Sequence, residues 1–505
     1  MSPPQSSLAP CVALVIAVGC VPHEPEPAQP PEDDHQLHAA TQPTGSGTAL
    51  TTPTSPVPTP PDDTGDTEDT GTIEATTPEP LPLPDEVVLG PSDAASGFGY
   101  AVGTVDVNGD GYVDTIVGAG HAHADQGAVY VYLGVDGGID ARSEQIIVPS
   151  DASPSMAFGL AMAGVGDVDG DGYEDILVGA DGDSTWAGAA YLYYGSATGV
   201  ETGSEVKFTA PVRRSYAHFG DSMSGVDDVN GDGHDDLVIG ASHANSSLGT
   251  AYIYYGSASG VDPDAAVEIT RSEMLSFNRY GNSVTGAGDV NGDGFADVLI
   301  TSHGRDGYTG AAWVFVGSST GLDLGSEQKI TASDAAVADY FGRSSSGAGD
   351  VDGDGFDDIV IGGLFSRGSS EPGSAYVYRG SASGIDLSTE LKISGSNTSA
   401  EGYFGMSVGG AMDMNGDGYD DIIVGAQGED ADLGAAYVYY GSNLGIDPAT
   451  EFKITASDGV AGDHFGWSVA GARDGGGHGA DQVLIGAHAA GPGAAYVYYG
   501  DTGSP

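Results

Sequence analysis

From Asp85 onward the apolar positions come in short bursts of five or six, cut apart by Gly, Asp, Asn and Ser, and the bursts repeat. Runs such as Ala435-Ala436-Tyr437-Val438-Tyr439-Tyr440 are too short for helices and rich in residues that favour strands. Each repeat opens on an aromatic followed by glycine: Phe98-Gly99, Phe158-Gly159, Phe219-Gly220, Tyr280-Gly281, Phe341-Gly342, Phe404-Gly405 and Phe465-Gly466. The intervals are 60, 61, 61, 61, 63 and 61 residues, giving seven units. Four strands fit between the turn signals of a unit; in the sixth they fall at 406–412, 421–425, 435–440 and 451–455. The first strand is built from Gly, Ser and Ala, which suits the crowded inner edge of a tapering sheet. The aromatics of the third suit its wider part.

Seven four-stranded units in tandem predict an all-β fold, a seven-bladed β-propeller over residues 85–505. The seventh unit runs out after its third strand. Its missing fourth strand has a counterpart ahead of the first unit, where Asp85-Glu86-Val87-Val88-Leu89 aligns with Glu144-Gln145-Ile146-Ile147-Val148 and Glu451-Phe452-Lys453-Ile454-Thr455. Residues 85–89 are therefore expected to complete the last blade and close the ring.

Between the first and second strands lies the chemistry. Asp289-Val290-Asn291-Gly292-Asp293-Gly294-Phe295-Ala296-Asp297 places oxygen side chains at positions 1, 3, 5 and 9, with a glycine at position 6 for the sharp turn. Hard oxygen ligands at this spacing suit Ca²⁺. The start matches an EF-hand loop, but position 12 is Ile300 instead of Glu, so the loop closes on the position 9 Asp and enters a strand. Six copies carry the full set: Asp106, Asn108, Asp110 and Asp114; Asp167, Asp169, Asp171 and Asp175; Asp228, Asn230, Asp232 and Asp236; Asp289, Asn291, Asp293 and Asp297; Asp350, Asp352, Asp354 and Asp358; Asp413, Asn415, Asp417 and Asp421. One copy alone reads equally well as a solvated turn; six in one register predict about six calcium ions. In the seventh unit Gly476 and His478 replace ligands, so no ion is expected there, and Arg473 stands where its positive charge would partly serve instead.

Composition narrows the setting. With 73 acidic residues against 14 basic, the formal charge is −59, which excludes nucleic acid and anionic membrane surfaces as partners. Residues 1–20 hold an apolar run, Val12 to Val18, of signal-peptide length, ending in Ala17-Val18-Gly19-Cys20. That ending resembles a bacterial lipobox. The resemblance implies an exported chain, either a lipoprotein of the outer membrane or cell surface lipidated on Cys20, or a secreted protein, touching membrane only through that lipid. Cys11 and Cys20 are the only cysteines, so the repeat region has no disulfide and calcium is the expected brace. Residues 21–84 are dominated by Pro, Thr, Asp and Glu, too poor in large apolar residues for a core, and read as a disordered stalk.

The aromatic-glycine opening, the Asp-rich loop and the following Val117-Gly118-Ala119, Val178-Gly179-Ala180, Ile239-Gly240-Ala241 and Val424-Gly425-Ala426 together are similar to FG-GAP repeats, which build the N-terminal propeller of integrin α subunits. The resemblance implies a calcium-bearing propeller for adhesion or ligand binding, with the calcium loops on one face and the loops joining strands 2 to 3 and 4 to 1 on the other. The sequence ends with the seventh unit, so neither a membrane-spanning helix nor an integrin β partner is expected.

Loops that break the repeat consensus mark a candidate ligand face: Trp186, Arg213, Arg214, Tyr216, Arg271, Phe277, Arg279, Arg305 and Tyr308. Arginine and aromatic residues together are typical of binding hot spots, and cations on an acidic background would focus an extracellular protein or acidic glycan. Pairing of these arginines with nearby loop acids is the competing structural explanation. No catalytic residue is assigned. Gly405-Met406-Ser407-Val408-Gly409 has the nucleophile-elbow pattern, but Gly466-Trp467-Ser468-Val469-Ala470 repeats it as part of the inner strand. The alternative function is a propeller enzyme, a lyase or hydrolase, acting on an extracellular polysaccharide.

Overall fold

The computed structural model describes residues 86–500 apart from 94–95, 272–277, 305–307, 365–371, 397–401 and 474–480. The lipobox, the stalk, Phe277 and Arg305 lie outside the described residues.

Short strands joined by tight Gly- and Asp-containing turns pair with their chain neighbours, and six of the seven blades are built wholly in this way. Each blade is a four-stranded antiparallel meander. Blade 1 runs outward through Ala101–Val105, Asp114–Ala119, Ala128–Tyr132 and Gln145–Ile147. Blade 7 consists of Ser468–Ala472, Gln482–Ala487 and Ala494–Tyr499, with its outer strand supplied by Glu86–Leu89. That strand pairs antiparallel with Glu86 opposite Tyr498 and Leu89 opposite Ala495.

The aromatic-glycine pairs join the blades. In every blade the aromatic bridges sideways to the glycine that precedes the third strand of the blade before it, as in Gly127 with Phe158 and Gly434 with Phe465. Phe98 bridges to Gly493 and so links the first blade to the last. Each aromatic then packs edge-on against a third-strand ring of its own blade, Phe98 on Tyr130 at 5.2 Å and Phe465 on Tyr496 at 5.1 Å. The inner strand of blade 6 is Val408–Met412, two residues shorter at its start than expected, although the Ser407 carbonyl just ahead of it still accepts from the Gly425 amide of the second strand. The outer strand is also shorter, Phe452–Ile454.

The outer edges carry a second repeated device. Glu205 accepts hydrogen bonds from the Ser150 amide and hydroxyl and from Tyr193 Oη at 2.8 Å. Glu144, Glu390 and Glu451 repeat the clamp, and Glu86 repeats it in blade 7 by taking Ser457 and Tyr498. The N-terminal strand therefore carries the side-chain chemistry of an outer strand as well as its backbone pairing.

In an antiparallel meander the strand 1–2 and 3–4 turns share one face, and the 2–3 and 4–1 connections share the other. On the second face, residues 123–125, 184–186, 245–247 and 430–432 each form a left-handed turn of three non-glycine residues, with φ between 48 and 66°. Such geometry costs roughly 1–2 kcal/mol per residue. It is held by the neighbouring blade, whose incoming chain donates to it: Ala157 N to Asp125 O, His218 N to Trp186 O, Arg279 N to Ser247 O and His464 N to Asp432 O.

Candidate metal centres and the opposite face

The Asp-rich loops are set by their own backbone amides. In blade 2, Asp167 accepts from the amides of Gly170, Asp171 and Gly172 at 2.7, 3.0 and 2.8 Å, and Asp171 accepts from Tyr173 at 3.1 Å. Asp175, fully buried, accepts from Val168 and Gly195 at 3.1 and 2.9 Å. The other five loops repeat this pattern around their position 9 aspartates. Burial pushes the carboxyls of Asp114, Asp175, Asp236, Asp358 and Asp421 up to about 8, and that of Asp297 to about 7. Neighbouring loop carboxylates push in the same direction. A buried carboxyl backed by further acidic oxygens is what a hard cation would satisfy.

Geometry supports that fit most directly in the two loops with Asp at position 3. Oxygens of Asp167, Asp169 and Asp175 lie within 4.8 Å of one another, as do those of Asp350, Asp352 and Asp358. Where position 3 is Asn, its side-chain amide donates to the position 5 carboxylate, as from Asn291 to Asp293 at 3.0 Å, while its carbonyl oxygen accepts the Asp293 amide.

Two features of these loops escaped the sequence reading. Position 8 ties the loops together: Glu174, Asp235, Asp357, Asp420 and Asp481 accept the amides of Asp106, Asp167, Asp289, Asp350 and Asp413 in the preceding blades. The recurring acid was visible in the repeat, but nothing in spacing tells that it points across to another blade. Loop 3 lacks the tie because position 8 of blade 4 is Ala296. Second, Arg379 pairs with Asp352, so one ligand set already holds a cation side chain. Arg473 of the ligand-poor seventh unit pairs with Asp420 and, with Asp227 and Asp357, lines a cavity of about 60 Å³ among inner-strand glycines.

On the opposite face the candidate ligand residues separate. Trp186 tilts against His218 at 5.4 Å, and His218 against His243 at 4.6 Å. Tyr216 is 57% exposed and Tyr308 40%. Tyr308 lies 5.0 Å from Tyr340, whose ring lies 5.9 Å from His303. Arg279 stands half-buried among these groups, near enough that its charge depresses the ionisation of His243 and His303. Arg214 is exposed, and Arg213 donates to Asp183 at 2.7 Å. Arg271 is not exposed for a ligand: it is 6% exposed, with its guanidinium 4.6 Å from the Tyr280 ring and 4.9 Å from that of Trp313. His303 and Tyr340 were missed because each looks like an ordinary loop residue until the chain folds.

Ser407, of the elbow-like pattern, is fully buried and donates to Gly466 O at 3.1 Å, as Ser468 does to Gly99 O. It has the same inner-strand role in both blades and no exposed hydroxyl.

Comparison with known families matches FG-GAP-like repeats at 106–178 and 228–300 and FG-GAP repeats at 341–378, 404–439 and 449–498, so every blade carries part of a match. Among curated proteins, integrin alpha-5 of Xenopus laevis is 29% identical over 261 residues, 48% of this chain and 24% of that protein. Integrin alpha-7 of Rattus norvegicus is 40% identical over 163 residues, covering 31% of this chain and 14% of the relative. Integrin alpha-4 of Xenopus laevis is 32% identical over 184 residues, covering 36% and 18%. The matched region thus spans a quarter or less of each relative's length. Among the described residues, no helix is long and apolar enough to cross a membrane.

Proposed function

Because the chain is an FG-GAP repeat protein similar to integrin α subunits, we propose that it is a calcium-binding adhesion module that holds an extracellular protein or acidic glycan on the face away from its metal loops. The observation that carries this reading is the division of labour between the faces. Six oxygen sets, each closing on a buried aspartate, recur on one side, while exposed Tyr216, Tyr308 and Arg214, with the partly buried Trp186 and Arg279, stand on loops of the other. Calcium in the six loops would neutralise the buried carboxylates and, through the position 8 ties, fix neighbouring blades against one another. In the same reading the chain is exported, held by a lipid on Cys20 or secreted, and the stalk sets the propeller off from the surface.

The polysaccharide enzyme is the weaker alternative. Ser407 is buried in a structural hydrogen bond, and the relatives are integrin α subunits.

The test is capture of acidic glycans and extracellular proteins from an array by the full chain, with calcium and with EDTA, beside an Arg213/Arg214/Arg279→Ala variant. Calcium-dependent capture that the variant loses is expected. Release of shortened polysaccharide without retention would replace the adhesion reading with the enzymatic one.

A further inference from the structure

Cations in this chain are scarce, and most that lie near acids are paired. Lys207 and Arg213 share Asp183, Lys392 meets Asp334, Lys453 meets Glu429, Arg379 meets Asp352 and Arg473 meets Asp420. Arg279 is different. Its backbone is pinned by the bond from its amide to Ser247 O and sits at φ 54°, so its side chain starts from a fixed point. That side chain is half-buried, and among the described residues no carboxylate pairs with it. Two acids of the adjoining histidine cluster are engaged elsewhere: Asp221 accepts from the Ser242 hydroxyl and amide, and Asp181 meets His218 Nδ1 at 3.3 Å. A guanidinium partly withdrawn from water with no counter-anion is costly, and a bound anion would remove that cost.

What surrounds it describes the anion. His303 is 4% exposed, and its Nδ1 has no hydrogen-bond partner. Burial and the Arg279 and Arg343 charges hold it neutral, and burial with the His218 and Arg279 charges drives His243 down to about 3. Both rings therefore add no charge of their own beside Arg279. Beside them Tyr340 and Tyr308 lie at 31° to one another, and Tyr308 opens to solvent. Aromatic rings offer flat apolar faces with a polar rim, which suits the C–H face of a pyranose.

We propose that Arg279, His303, Tyr308 and Tyr340 form a seat for the carboxylate-bearing ring of an acidic sugar. The carboxylate would meet the guanidinium and the apolar face of the sugar the tyrosine pair, with the neutral His303 ring buried behind Tyr340. A free Asp or Glu side chain would use only the first of these contacts, which favours the saccharide over an acidic peptide. The inference rests on the reading of this face as the ligand side and names the ligand class for it.

The test is calorimetric titration of the full chain in calcium with tetragalacturonate and with sialyllactose, against neutral galactotetraose, lactose and a tetraglutamate peptide. The two acidic arms distinguish a uronate from a sialate. One acidic sugar is expected to bind and its neutral counterpart not. Arg279→Gln should weaken binding about tenfold or more, since a hydrogen-bonded charge pair is lost, and Tyr308→Ala should weaken it as well. Arg142→Gln, at an exposed arginine outside the seat, should leave it unchanged. Melting curves establish that each variant is folded; should Arg279→Gln not fold, the exposed Tyr308→Ala decides alone. No binding of either acidic sugar, unaltered binding by the variants, or equal binding of tetraglutamate would overturn the seat. Calcium-dependent capture of some other ligand, insensitive to Arg279→Gln, would overturn the seat while leaving the adhesion reading in place; loss of all capture would remove both.

Discussion

Gly188 and Gly462 both adopt left-handed backbone angles, φ 82° and 96°, yet a methyl group would meet different surroundings. At Gly188 a Cβ would stand 2.1 Å from Phe219 O in the join between blades; at Gly462 nothing lies within 4 Å. Gly462→Ala should cost only the left-handed penalty of about 1–2 kcal/mol. Gly188→Ala must also push two blades apart, and its chemical denaturation midpoint should fall much further. A second residue-scale test is acid. Burial, with the charges of His464 and His121, lowers His488 to about 4, against an unfolded value near 6.5. The folded state thus binds fewer protons, so this contribution is fully present above about pH 6.5 and is lost as pH falls toward 4. Relative to His488→Gln, the native chain should lose up to about 1.4 kcal/mol of stability per pH unit across that window, measured by denaturation at matched calcium. Identical pH profiles would show that His488 is not buried neutral. Individual residues differ in how far sequence reveals them. Loop aspartates are close in space because they are close in the chain, so their spacing can be read directly. Arg271 sits over Trp313 of another strand, and no local pattern shows that contact.

A strand is specified by more than alternation. Glu86–Leu89 carries the same Glu that clamps serine and tyrosine in blades 1, 2, 5 and 6, and this is why its alignment with 144–148 and 451–455 could be seen without a structure. Glu86→Ala should therefore destabilise the protein about as much as Glu205→Ala, on the order of 1–3 kcal/mol each. An unchanged melt for Glu86→Ala beside a lowered one for Glu205→Ala would mean that this strand contributes little to the blade. What alternation did not reveal is where inner strands begin. The sideways bridge of each aromatic-glycine pair is a contact between blades that alternation along one segment cannot show, and the inner strand of blade 6 starts two residues later than expected.

At the scale of the whole molecule, charge and metal are one problem. A formal charge of −59 opposes compaction, and the buried loop carboxylates concentrate that opposition. Cations bound only by the folded form should raise stability by about 2.7 kcal/mol per independent site when free calcium is a hundredfold above its Kd. Melting in calcium is thus expected well above melting in EDTA, and superimposed curves would argue against the loops as metal sites. The propeller was legible because seven copies of one weak pattern reinforce one another. The proposed ligand face was less so, because it is made of departures from that pattern, and departures have no register to confirm them.

The clamp of Glu86 on Tyr498 spans 412 residues of chain. During synthesis, at roughly 5–20 residues per second, the first strand to emerge waits on the order of tens of seconds for the last. Throughout that interval Val87-Val88-Leu89 is an unpaired apolar edge, open to wrong partners. The residues just ahead of it alternate proline at Pro78, Pro80, Pro82 and Pro84, a spacing that denies a neighbouring strand its regular donors. On the ribosome, that spacing would guard the waiting edge.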